Sequence, residues 1–181
     1  MKFVNGIVYW MGESGGFFVF DGTVKSLPCA VEDFVFTTKN GNNLGVNYSA
    51  GESVYVGLNH LYEEICWYYP QATSSFNDRY VCYNYQDNTW VTGSLSRTTW
   101  VDANLYENPY ATEFNSTGTG TFPTVQGVTN INGSTKYFEH EKGVNEVDTA
   151  GNKTAIPAFI ESGDFSLNPE GTNGEFFMSM R

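Results

Sequence analysis

The chain has 181 residues, enough for one sizeable core, with 9 basic residues against 20 acidic ones and a formal net charge of −11. That balance argues against a nucleic-acid binder that works by neutralising phosphates, and against attachment to an anionic membrane surface. Aromatic residues make up 17% of the chain and charged ones 16%, with 19 glycines, a composition that favours strands and tight turns over helices.

The first residues, MKFVNGIVYWMG, hold one Lys and no long apolar core before Asn5-Gly6. Neither a signal peptide nor a membrane span is expected there, and synthesis and folding in a cytoplasm are. Ile7 to Trp10 reads as a strand, Gly12 to Gly16 as a turn and Phe17 to Phe20 as a second strand. Asp21-Gly22 is a hairpin dipeptide, and Thr23 to Leu27 returns. Val31 to Phe36 fits a strand or one helical turn. Thr38 to Asn43 is a polar loop, and Ser53 to His60 leads into the next unit.

That second unit is the densest signal in the chain. Ile65 to Tyr69 is a run of apolar, β-branched and aromatic residues ended by Pro70, and Gln71 to Asp78 is turn chemistry. Arg79 to Tyr85 alternates, Gln86-Asp87-Asn88 turns, and Thr89-Trp90-Val91 starts another strand. Asn104 to Thr129, rich in Gly, Thr, Asn and Pro, reads as an excursion. In a third unit Thr135 to Glu141 is a strand, Gly143 to Lys153 a polar loop and Pro157 to Phe165 a strand. Anchors at Trp10, Trp67 and Tyr137 suggest repeated blades. The expected fold is all-β, with antiparallel sheets and long loops arranged as a partial β-propeller of about three to four blades. Residues 1–181 are expected to form one all-β domain. Propellers close with about 4–8 blades, so either the chain is a fragment of a longer protein, or copies associate, or the architecture is a small sandwich.

No helical periodicity with caps is sustained anywhere. Cys29, Cys66 and Cys82 form no CxxC pair and sit in apolar, strand-like contexts. Buried free thiols are expected, with a Cys66–Cys82 bridge across a hairpin as the open alternative.

Candidate chemistry is sparse. In Glu139-His140-Glu141 strand alternation sets the two acids on one face and the imidazole on the other. The chain's other histidine is His60, so His140 reads as structural and no metal site is expected. Asp78-Arg79, or Asp102 with Glu107, could be imagined as acid–base pairs, yet no spacing singles out two carboxylates among 20. They read as turn-forming acids. No GxSxG elbow, phosphate loop or GxGxxG motif is present. Asn115-Ser116-Thr117 and Asn132-Gly133-Ser134 match the glycosylation pattern by chance. Trp67, Tyr68, Tyr69, Tyr83, Tyr85, Trp90 and Trp100 could build a sugar-stacking platform, but alternation divides them between the two faces of a sheet. Trp67, Tyr69, Tyr83, Tyr85 and Trp90 are therefore assigned to a blade core. Arg97 is expected to pair with an acid, within the chain or across subunits. No catalytic residue, cofactor or metal is assigned.

Several motifs occur in one order: Trp67 to Trp90, Gly93 to Trp100, Tyr137 to Gly143 and Pro157 to Phe165. The first two lie in the block from Glu63 to Asp102 and the last two in KYFEHEKGVN and IPAFIESGDFSL (Lys136 to Leu167), and the run GGFFVFDGTVKSLPCAVEDFVF (Gly15 to Phe36) precedes them. These segments resemble the tail nozzle proteins of short-tailed bacteriophages, also called tail tubular protein B, and the related tail hub proteins. The resemblance covers about two thirds of the chain, although such proteins are several times longer. It implies a non-catalytic virion protein, assembled in the host cytoplasm into a ring, usually sixfold, under the portal and adaptor. Genomic DNA would pass through the ring without specific binding, and no membrane would be involved. The alternative is a carbohydrate-binding or glycoside-cleaving β-propeller module.

Overall fold

The computed structural model describes residues 1–37, 45–103, 106–120, 133–143, 145–147 and 151–155. It is mostly strand and every sheet is antiparallel, as the composition leads one to expect. The chain divides into two compact units, Met1–Lys142 and Gly143–Arg181.

The first unit begins with a hairpin that the sequence reading passed over. Strand β1 (Lys2–Val4) joins β2 (Ile7–Met11) through Asn5-Gly6, whose φ angles are +50° and +85°. A type I′ hairpin turn needs positive φ at both central positions, and Asn-Gly supplies it at little steric cost. Strands β3 (Phe17–Phe20) and β4 (Val24–Ser26) complete a four-stranded meander in chain order. Alternation buries Tyr9 and Phe17 on one face. It turns Phe3, Val8, Trp10, Phe18, Phe20 and Val24 to the other, where Trp10 and Phe18 stack at 5.7 Å. The ambiguous segment at Val31 is a short helix, α1 (Glu32–Phe36), which sinks Val35 fully into the core.

The second sheet is again a meander in chain order: β5 (Tyr55–Asn59), β6 (Glu64–Tyr69), β7 (Arg79–Asn84) and β8 (Thr89–Ser94). A 3-10 segment (Tyr48–Ser53) leads into it, begun by Asn47, whose side chain accepts the Ser49 N–H at 3.0 Å. Every residue from Ile65 to Tyr69 is buried, so β6 is covered on both faces. Ile65, Trp67 and Tyr69, with Val81 and Tyr83, join Tyr9, Phe17 and Val35 in one cluster. Cys66, Tyr68 and Cys82 face the opposite way and pack with Trp100 and Ala111. Each fully buried large side chain contributes about 1.5–3 kcal/mol relative to its exposed state.

Trp100 and Ala111 belong to a third sheet of β9 (Thr99–Val101), β10 (Tyr110–Gly120) and β11 (Gly133–Glu139), in the order β11-β10-β9. This corrects the reading of Asn104 to Thr129 as an excursion, because β10 lies inside it. The Tyr-Ala-Thr-Glu start of β10 alternates, but its inward residue Ala111 is too small to register as a core position. The Gly118–Gly120 pair likewise sits in strand, not turn. The indole N–H of Trp100 donates to the Leu58 carbonyl at 2.7 Å, covering the open edge of β5. A Cβ on Gly57 would stand 2.7 Å from the Trp100 ring, so only glycine lets the two approach.

In the second unit β12 (Asn145–Val147) pairs with β13 (Lys153–Ala155). These strands replace the ends of the expected polar loop at 143–153. The expected strand Pro157 to Phe165 lies outside the described residues. Among the described residues no helix is long and apolar enough to cross a membrane.

Candidate functional site

Three of the five residues assigned to a blade core, Trp67, Tyr69 and Tyr83, are 1%, 0% and 4% exposed. Tyr85 and Trp90 are partly buried against the same cluster. Trp67 lies 4.9 Å from Phe17 and 6.1 Å from Trp90, ring to ring, and Trp90 donates its indole N–H to the Pro28 carbonyl at 3.0 Å. Tyr83 donates its hydroxyl to Asn88 at 2.6 Å, holding the turn where Asn88 has φ +57°. Trp67, Tyr69 and Tyr83, enclosed in this way, present no flat face to a sugar. Exposed aromatics lie elsewhere, among them Tyr137, which stacks on the half-buried Tyr110 at 5.2 Å and 12°, and Tyr106, which meets Tyr110 edge-on.

A cleft of about 740 Å³ opens between the first two sheets, lined by Met11, Phe36, Tyr48, Val54, Val56 and Trp67, with Glu13 and Glu52 among its polar groups. The volume is that of a small-molecule site. Trp67 Nε1 is buried without a hydrogen-bond partner among the described residues.

Sequence reading singled out Arg97 and His140 separately, and the structure brings them together. Arg97, 5% exposed, donates from Nε to His140 Nε2 at 2.8 Å. Its guanidinium stands over the Phe138 ring at 4.1 Å and lies 3.7 Å from Glu113. The expected acid partner is thus present within the chain. The His140 ring packs on Trp100 at 4.7 Å. Burial first, and the Arg97 charge second, push His140 down to about 4. Asn77 ties the same junction to the chain before β5, its amide donating to the Arg97 carbonyl at 2.9 Å and to the Ser53 carbonyl at 2.8 Å.

The imagined acid–base pairs do not assemble. Asp78 accepts the Gln71 N–H at 2.8 Å and closes a turn. Arg79 bonds Ser94 at 2.7 Å. Asp102 does not pair with Glu107; its Oδ1 meets His60 Nδ1 at 3.0 Å and accepts the Ala103 N–H at 2.8 Å. The His60–Asp102 pair went unforeseen because 42 residues separate its members. No hydroxyl or thiol nucleophile bonds His60 among the described residues.

The expectation of three free thiols fails, since Cys66 and Cys82 form a disulfide. The register of β6 and β7 sets them directly opposite one another, with Cα atoms 4.0 Å apart. Cys29 remains free, and burial pushes its thiol up to about 11. Beside the disulfide stands Glu64, raised above the usual carboxylate range by burial and by Glu141. Glu64, Cys66 and Cys82 are the one group of three metal-ligating residue types that converges among the described residues. No family model, no curated protein and no solved structure matches the chain.

Proposed function

We propose that this chain is a non-catalytic virion protein, a component of the nozzle or hub ring in the tail of a short-tailed bacteriophage, with its sheets acting as β-propeller blades. The observation that carries the reading is the succession of two four-stranded antiparallel meanders, β1–β4 and β5–β8, with a third sheet packed on the far face of the second. Four-stranded meanders laid face to face are the building units of propellers. The nozzle-like motifs support it further, because residues from two of them meet: Arg97 and Trp100 both contact His140. Copies of the chain would form a ring, usually sixfold, against the adaptor, portal and other tail proteins. A wall with a net charge of −11 would not grip the phosphate backbone, so genomic DNA could slide through.

Recovery of the protein from purified virions, with rings in negative-stain micrographs, tests the assembly. Absence from virions would overturn it. Duplex binding with a steep salt dependence would overturn the sliding wall.

A second reading, a carbohydrate-binding module, is favoured by the exposed Tyr137 stacked on the half-buried Tyr110, with the exposed Tyr106 beside it. It expects a glycan-array signal that Tyr137→Ala abolishes with the fold intact.

A further inference from the structure

Glu64 and Cys66 lie two residues apart on β6 and therefore share a face. The register places Cys82 of β7 directly opposite Cys66. The carboxylate oxygen and the two sulfurs all lie within 4.8 Å of one another. With the disulfide closed, the sulfurs are committed to each other. We propose that, once the disulfide is reduced, Cys66, Cys82 and Glu64 hold a thiophilic divalent cation of the zinc class, so that one cross-strand pair alternates between a disulfide and a metal site.

The dimensions suit such an ion. Zinc takes sulfur at about 2.3 Å and carboxylate oxygen at about 2.0–2.2 Å in a tetrahedral arrangement. Two of its ligand atoms then sit roughly 3.5–3.8 Å apart, and the three donors need only small rotations to reach that spacing once the S–S bond opens. Two thiolates select zinc over magnesium or calcium. A water completes the fourth position.

The chemistry balances with a dithiol reductant. One of its thiolates attacks a disulfide sulfur, forming a mixed disulfide and releasing the other cysteine. Its second thiol then resolves the intermediate. The cysteine pair gains two electrons and two protons, and the reductant leaves as its own disulfide. Binding the cation displaces the two thiol protons to solvent. In a reducing compartment, where a disulfide does not persist, the metal would keep β6 and β7 clamped at the same point. The inference does not depend on the tail reading.

The test uses the full chain, reduced anaerobically and freed of reductant, with Co²⁺ as the probe. The reduced protein should develop thiolate-to-cobalt charge-transfer and tetrahedral d–d bands, saturating at one ion per chain and bleached by Zn²⁺. The oxidised protein should show neither, and Cys29→Ser should leave the spectrum unchanged. Cys82→Ser should abolish the two-thiolate spectrum. Because that variant also removes the disulfide, Glu64→Gln is the decisive one. With its circular dichroism native, it should bind at least about tenfold more weakly, the scale on which metal-site substitutions act. Failure of the reduced protein to take up Co²⁺, loss of the bands in Cys29→Ser, or wild-type affinity in Glu64→Gln would each overturn the proposal.

Discussion

Arg97 Nε donates to Nε2 of His140 at 2.8 Å, which requires that nitrogen to be unprotonated. A neutral imidazole therefore accepts from a buried cation. Protonating it would set two positive charges in contact inside a junction also formed by Trp100 and Phe138.

The consequence is a pH dependence of defined sign. His140 titrates near 4 in the folded protein against an ordinary 6.5. Between those values the unfolded chain binds a proton that the native state refuses, so stability is full above pH 6.5 and falls as pH drops towards 4. Discounted for partial solvent access, the loss is on the order of 2 kcal/mol. Urea titrations at pH 7 and pH 4.5 should show it in wild type. His140→Gln should remove that share of the slope, while the carboxylates contribute equally to both proteins. An unchanged slope in the variant would contradict the assignment.

Removing the cation instead should be worse. Arg97→Ala leaves Glu113 and His140 without the guanidinium that both face, while the Asn77 bond to the residue 97 carbonyl survives, and deleting one member of a buried ionic cluster costs about 3–5 kcal/mol. Arg97→Lys keeps the charge but loses the planar donor fork that serves the imidazole while lying over Phe138, so it should restore less than half of the loss. Chemical denaturation midpoints of the two variants decide this.

How legible these contacts were depended on range. The strands over Ile65–Tyr69, Arg79–Asn84 and Phe17–Phe20 were readable because alternation and turn chemistry are local signals. The hairpin at Asn5-Gly6 carried the right dipeptide and was missed only because β1 is three residues long. Strand β10 was hidden for another reason: the residue it buries is Ala111, and Thr and Gly around it imitate a loop. The anchors Trp10, Trp67 and Tyr137 looked equivalent but are not. Trp67 is buried between sheets, Trp10 is on the outward face of the first, and Tyr137 is 67% exposed. The Arg97–His140 and His60–Asp102 contacts depend on how sheets pack, and local periodicity carries no trace of that.

The closeness of β5 to Trp100 gives a steric prediction. In Gly57→Ala the new methyl would meet the Trp100 ring at 2.7 Å and displace the indole from the Leu58 carbonyl. Overpacking of this kind costs about 1–3 kcal/mol. Gly51→Ala, where an added Cβ meets nothing within 4 Å, should stay within about 0.5 kcal/mol of wild type. Thermal unfolding of the pair separates a packing effect from a general intolerance of glycine replacement.

Trp67 is the centre of the larger core cluster, and Trp67→Ala should cost about 3–5 kcal/mol. Trp67→Phe keeps a ring against Phe17 and Trp90. Because the indole N–H has no partner among the described residues, the change sacrifices volume but no hydrogen bond. It should be clearly milder than the alanine variant, as judged by urea midpoints. Equal losses would mean that a phenyl ring at this position recovers none of the packing against Phe17 and Trp90.

The outward face of the first sheet offers the sharpest check on ring assembly. Phe3, Phe20 and Val24 are 66%, 42% and 65% exposed, and Trp10 and Phe18 stack in the adjacent cross-strand row of the same face. An apolar patch of this kind marks an interaction surface. In the proposed ring its occupant is the next copy of the chain, so wild-type protein should associate with rising concentration in sedimentation velocity. The double variant Phe20→Lys with Val24→Lys should remain monomeric with its unfolding midpoint nearly unchanged. Those lysines add two positive charges to a chain of net charge −11, which reduces repulsion between copies. Loss of association could then come only from the burial cost of the new charges at the interface. Asp87→Lys, in an exposed turn, changes the net charge by the same two units and should leave association intact. If it disrupts assembly as well, long-range charge and not the aromatic face governs the contact.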